Sequence, residues 1–443
     1  MAGEKETGNP LDGERRGMEN GERMTNGEVR RWLAEHAWPL KEPDGGYGGP
    51  AEPGDADLAP LREVLRDVRV LGMGEATHGT AEFFRLKHRL LRFLVRDLGC
   101  TTLALEASAS AARAVDDHVR HGTGDAAAAL AGLGFWTWRT REMLDVVEWL
   151  RAHNRTVPPE HAVRFVGIDP QRCGPSLAAV EAVLRAAAPE RAPLADGPLA
   201  ALADAPAGSL AACGPELLAA ADDLTAFLEQ ERPRLADRAG AEAADRALGH
   251  ARLIAAAADV AARPPHGTGA EPGALAARDR HMARAVLAAA ERAAGPVAVW
   301  AHNGHVASEP YGGGVPAMGQ HLRARLGARY YALGLLFGAG AFRARPGTAG
   351  RRPPRRHTVG AAGPRSLEGQ LAAATPGDHL IDLRAGRADP AVARWLDTRH
   401  FVRAFGAGVP RVTYRIQLAA TVPGRAYDGL AYVARSTPSV PLD

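Results

Sequence analysis

Cysteine is scarce in this sequence: Cys100, Cys173 and Cys213 are the only three, widely spaced and odd in number. That excludes a disulfide framework and the paired-Cys spacing of a structural zinc site. Charge of one sign is lacking too. With 54 basic and 51 acidic residues the formal charge is +3, too small for a nucleic-acid surface, and no basic stripe runs along the chain. The one basic knot, Arg351-Arg352 and Arg355-Arg356, is broken by Pro353-Pro354 and reads as an exposed loop. No run of 18 apolar residues occurs, and the first residues are hydrophilic where a signal peptide would be apolar. A cytoplasmic protein with no membrane partner is therefore expected. Lysine is limited to Lys5, Lys41 and Lys87 among many arginines, a bias of the kind a GC-rich genome imposes, so arginine richness says little about function.

What the chain does carry is an ordinary globular composition. Hydrophobic residues are 46% and charged residues 24% of its 443 positions, enough for a large core and two or three structural units. Residues 1–27 are charged and glycine-rich with almost nothing to bury, and read as a disordered tail. Residues 28–175 and 276–443 alternate strand-like apolar runs with helical patterns. Between them, 176–275 turns to alanine, leucine, aspartate and arginine with no strand-like run, which reads as a helical lobe. The expected fold is α/β: a mostly parallel central sheet flanked by helices, with the lobe inserted over the active-site edge.

The stretch 68–98, VRVLGMGEATHGTAEFFRLKHRLLRFLVRDL, organises the rest. Its opening run, rich in β-branched residues, predicts a buried strand, and Gly72 and Gly74 allow a tight turn. Glu75, Thr77 and His78 then place a carboxylate, a hydroxyl and an imidazole within four residues. Thr80 stands as an N-cap for the helix that follows. On that helix Phe83, Leu90, Leu91, Leu94 and Leu98 share one face, and Arg85, Arg89, Arg92 and Arg96 the other. Lys87 projects from the apolar face, where an ammonium is costly unless paired. Either its stem snorkels to the surface or it serves a site near Glu75.

Further strands end on polar residues. The run 101–105 leads into Glu106, 163–168 into Asp169-Pro170-Gln171, and 297–300 into His302-Asn303-Gly304-His305. Open α/β sheets bind ligands at the carboxyl ends of their strands. Glu75, His78, Glu106, His302 and His305 are therefore expected as an acid/base cluster on one edge, with Lys87, Asp169 and Gln171 contacting substrate. Asp169 equally suits a turn before Pro170. Strands are also expected at 330–337, 379–383 and 427–433, with a flexible excursion from 338 to 364. The segment 134–139, GFWTWR, concentrates aromatics in a chain that has 5% of them. The segment either packs in the core or floors a pocket for a large apolar ligand, with Trp136 its expected substrate contact.

The blocks GEATHGTAEFFRLKHRLLRFL, LALEA and AVWAHNGHV resemble the erythromycin esterase family, and the likeness runs from about Trp32 to the end. The resemblance implies that His78 is the general base activating water, with Glu75, Glu106, Lys87, His302 and His305 lining the same cleft. The helix position of Lys87 is often arginine in that family; lysine keeps the charge and loses the bidentate fork. Opening of a macrocyclic lactone, with antibiotic resistance as the outcome, is also implied. The residues read by themselves suit a hydrolase whose histidine is held by a carboxylate on one nitrogen and takes a proton on the other. No G-x-S-x-G elbow supports a covalent route. The side chains would suit zinc or manganese, but Glu75-x-x-His78 is not the H-E-x-x-H helix, and neither metal nor cofactor is expected. The expected partner is a small lactone or polyketide-like substrate of a monomeric enzyme. Two alternatives use the same residues: a biosynthetic enzyme that cleaves, cyclises or dehydrates a polyketide-type metabolite, and a homologue that binds ligand without turnover.

Overall fold

Residues 27–41, 55–267, 272–347 and 352–442 are described by the computed structural model. The expected tail, apart from Gly27, and Arg351 of the basic knot lie outside the described residues. Twelve strands occur among the described residues. The first six are β1 (Trp38–Pro39), β2 (Val70–Met73), β3 (Thr102–Ser108), β4 (Arg164–Asp169), β5 (Val297–Trp300) and β6 (Tyr330–Pro346). The others are β7 (Arg355–Val359), β8 (His379–Asp382), β9 (His400–Arg403), β10 (Gly408–Val409), β11 (Leu418–Thr421) and β12 (Gly429–Ser436).

The main sheet runs β4–β3–β5–β2–β6–β12–β8–β1. Its first six strands are parallel to their neighbours, and β8 and β1 add antiparallel pairs at one side. Every residue of β2, β3 and β5 is buried, as expected where helices cover both faces of parallel strands. The fold is mixed α/β with a largely parallel central sheet flanked by helices. Register is what builds an edge. Met73 and Leu105 both pair with Trp300, and Leu105 pairs with Gly167. The residues that follow, Glu75, Glu106, Asp169 and His302, therefore leave the sheet at one level.

Several elements depart from expectation. The glycine-rich segment after 337 is largely strand where it is described: β6 continues to Pro346, and β7 pairs antiparallel with it. Its glycines serve close approach. A Cβ at Gly338 or Gly340 would strike Tyr432 or Ser436 of the adjacent β12. The helix Ala81–Leu98 does begin after Thr80, but the Thr80 side chain makes no capping hydrogen bond; its backbone bridges Pro438 instead. The arginine face of that helix is not uniformly solvated. Arg89 and Arg92 are buried, and Arg89 pairs with Asp55 and Asp57, whose segment covers this face.

A second hydrophobic cluster spans 173–262, built by the helices Gly174–Ala187, Gly214–Gln230, Arg232–Ala239 and Ala241–Ala261. It follows β4 at the sheet's carboxyl side, and the helix Ala274–Arg292 returns the chain to β5. Several polar ties hold it, two of them close to the site or the return helix. The Gln171 Oε1 accepts from the Ala207 N–H at 2.7 Å. Asp259 accepts from Arg263, just past the end of its own helix, and from Arg280 and His281 on the return helix, at 2.7–2.9 Å. Among the described residues no helix is long and apolar enough to cross a membrane.

Candidate active site

The tight turn after β2 exists because Gly74 and Gly79 lack side chains: a Cβ would meet Asn303 and the Leu333 backbone at the first, and the Arg343 backbone at the second. Between them, Glu75 points inward and is completely buried. Its Oε1 lies 2.7 Å from His78 Nδ1. Its Oε2 accepts from the Lys87 ammonium at 2.6 Å and from the Trp300 indole N–H at 3.3 Å. Burial opposes ionisation of Glu75, yet Lys87 and His78 hold its carboxyl below the usual range. Lys87 is also 0% exposed, sits 4.8 Å over the Trp300 ring, and is held down to about 8 by burial against the pull of Glu75. It lies beneath Glu75, away from any surface a substrate could touch.

Glu106 anchors the neighbouring half. It accepts from the Arg278 guanidinium at 2.7 Å and from the His302 backbone N–H at 2.8 Å, and lies 3.1 Å from His305 Nε2. Burial resists its charge, but His305 and Arg278 keep it well below the ordinary carboxylate range. Arg278 also donates to Asp169, at 2.8 Å from Nη2 and 3.2 Å from Nε. The rest of Asp169 is taken by the backbone and side-chain N–H groups of Gln171. Asp169 and Gln171 thus bind each other and the lobe.

Three histidines reach this edge, and their surroundings separate them. His305 is clasped by Asp279 at 2.8 Å on Nδ1 and Glu106 on Nε2. Burial works against its charge, but the two acids outweigh both burial and the Arg278 Nη1 lying 3.0 Å away, carrying it to about 10. His302 goes the other way. Burial, with the His78 ring beside it, pushes it down to about 3; its Nδ1 accepts from the Gly304 N–H, and its Nε2 lies 3.3 Å from the Phe405 carbonyl. The third is His78, 5.1 Å from His302 between ring centres. It is 8% exposed, and its Nε2 has no hydrogen-bond partner among the described residues.

Sequence reasoning missed Arg278, Asp279 and Tyr311, and within the aromatic segment it singled out Trp136 rather than Trp138. Asp279 carried a readable signal, since it falls with Met282, Ala283 and Val286 on the buried face of its helix, as Lys87 does on its own. Tyr311 places its hydroxyl 2.7 Å from His305 Nδ1, and only a glycine at 304 leaves room for its ring. The aromatic segment reaches the site through Trp138, whose indole N–H donates to the Glu106 carbonyl and whose ring edge faces His78 at 6.0 Å. Trp136 is half-buried and stacks instead under Arg343, 5.5 Å away.

With this geometry in place, known proteins give it a context. The Erythromycin esterase family profile matches residues 95–436. The chain belongs to the erythromycin esterase family. The matched range begins after the Glu75–His78 turn. A curated relative, the erythromycin esterase type II of Escherichia coli, is 32% identical over 148 residues, 33% of this chain and 32% of its own. The putative hydrolase YbfO of Bacillus subtilis (strain 168) is 33% identical over 75 residues, 17% of this chain and 15% of its own. The chain therefore matches about a third or less of these relatives' length. Among solved structures, a Bacillus cereus protein aligns with a TM-score of 0.77 at 25% identity, covering 94% of this chain and 99% of that one. A mutant of the erythromycin esterase EreC, in its open conformation, aligns at 0.63 and 18% identity over 86% of this chain and 94% of that one; it speaks to the fold alone.

Proposed function

We propose that this erythromycin esterase family member is a carboxylic ester hydrolase in which His78 draws the proton from water. One observation carries the reading: Glu75 holds His78 by Nδ1 at 2.7 Å while Nε2 is left without a partner. A carboxylate at Nδ1 fixes the tautomer whose Nε2 lone pair is basic, and steadies the imidazolium that forms. His302 has both nitrogens engaged and His305 is already charged, so neither competes for the role. Charge supports it further. Four carboxyl groups (Glu75, Glu106, Asp169, Asp279) face three cationic groups (Lys87, Arg278, His305). The missing positive charge is the one His78 gains with the proton.

In this reading water gives its proton to Nε2 and its oxygen to the ester carbon. The ester C–O bond then breaks, and the alcohol departs with the proton returned by His78. Lys87 and Arg278 act as positioning residues, one for Glu75 and one for Glu106. A lactone, which would open to a hydroxy acid, or a related polyketide-type ester is the proposed substrate class. The test is hydrolysis and ligand affinity measured side by side on His78→Ala. Turnover should fall about 10²–10⁴-fold with affinity little changed. Undiminished turnover would sink the proposal, and a wild type that binds lactones without cleaving them would favour a ligand-binding homologue.

A further inference from the structure

Away from the acid/base cluster, a groove of about 730 Å3 lies between the lobe and the helices flanking β3 and β4. Its lobe wall comes from Ala179, Val183, Ala243 and Ala247, and its opposite wall from Ala111, Ala114, Ala128 and Ala129. None of the cluster's charged residues lines it. The volume is that of a small-molecule site, with apolar alanine walls and polar side chains, among them Thr123 and Asp125, at its margins.

One end is polar and built. Ser110 and Ser176 are buried, and the Ser110 Oγ accepts from the Ser176 N–H at 2.7 Å and from the Ser176 hydroxyl at 2.8 Å. Ser176 Oγ lies in turn 3.0 Å from His250 Nδ1. This chain crosses from the sheet side (Ser110) to the lobe (Ser176, His250) and fixes the imidazole by one nitrogen. The other, Nε2, has no hydrogen-bond partner among the described residues, and His250 lines the groove. Arg113 and Arg246 stand on the same lining with Asp117 and Asp125; Arg113 lies 3.7 Å from Asp117, and Arg246 pairs with Glu242 on its own helix. Burial and these two arginines hold His250 below its ordinary value.

We infer that this groove is a binding site for a small apolar carboxylic acid, distinct from the acid/base cluster. The ligand binds as its carboxylate and His250 takes up one proton from solvent at Nε2 on binding; the imidazolium donates from Nδ1 to Ser176, and the carboxylate is met by Nε2–H and the two guanidiniums. The hydrocarbon body lies along the alanines of both walls, so the ligand bridges lobe and sheet.

Calorimetric titration of the full chain with octanoate tests this, with octylamine as the control of equal carbon number and opposite charge. Octanoate should bind saturably, and His250→Ala should weaken it by about tenfold or more, the loss of one charge-assisted hydrogen bond. Ala128→Trp, on an exposed helix position, and Ala179→Trp should each abolish binding by filling the groove. A folded Ala128→Trp protein that still binds octanoate would overturn the site. So would wild type that binds no octanoate, or that binds octylamine equally well.

Discussion

At the scale of single residues, the site is a set of buried charges that each depend on a neighbour. Glu75→Gln leaves Lys87 fully buried without its counter-ion, a loss expected to cost about 3–5 kcal/mol as well as the orientation of His78. Urea denaturation and turnover should both register it. Lys87→Met spares Glu75 its contacts to His78 and Trp300 and should lower kcat more than it raises KM. His305 gives a pH prediction with a definite sign. Its folded value of about 10 lies above the unfolded 6.5, so its contribution to stability is complete below about 6.5 and lost as pH rises through 10. Lys87, lowered to about 8, acts oppositely above that pH. The difference between wild type and His305→Gln in unfolding free energy should therefore shrink from pH 6 to pH 10. A difference constant across that range would contradict the charged clasp.

At the scale of elements, turns and strands depend on absent side chains. Gly304→Ala would put a Cβ 2.7 Å from Tyr311 Cε1, so it should displace Tyr311 from His305. The expected cost is about 1–3 kcal/mol in thermal unfolding, and much less in a Tyr311→Phe background only if the lost hydroxyl already frees the ring. The central strands were legible because parallel strands buried on both faces read as short apolar runs: 297–300 is β5 residue for residue, and 163–168 is β4 shifted by one. Polar residues placed straight after such runs, Glu75, Glu106, Asp169 and His302, could be placed on one edge for the same reason. What escaped depends on partners distant in sequence. The extension of β6 looked flexible because its glycines answer to Tyr432 and Ser436 nearly a hundred residues away. Arg89 and Arg92 looked exposed because nothing local says that 55–58 covers them. Arg278 read as one arginine among many until the fold brought Glu106, Asp169 and His305 to it.

At the scale of the whole molecule, a second apolar core hangs on the sheet by several polar ties. Asp259, which burial opposes but which His281 and Arg263 hold well below the usual carboxylate range, is the densest of them. Asp259→Asn should loosen the lobe by about 1–3 kcal/mol. Hydrogen exchange should then quicken in the helices Gly214–Gln230 and Ala241–Ala261 while β2, β3 and β5 keep their protection. Uniform quickening across the chain would show instead that the two cores unfold as one. The acid/base cluster lies where the lobe meets the sheet's carboxyl edge, with Gln171 bonded to both Asp169 and Ala207.

The most direct test of the central claim is mass spectrometry of macrocyclic lactones and simple esters after incubation with the full chain, beside His78→Ala. The account predicts that wild type adds one water to at least one lactone and that the histidine variant adds it at least about 10²-fold more slowly. Water added equally by both proteins would contradict the assignment of His78 as the base.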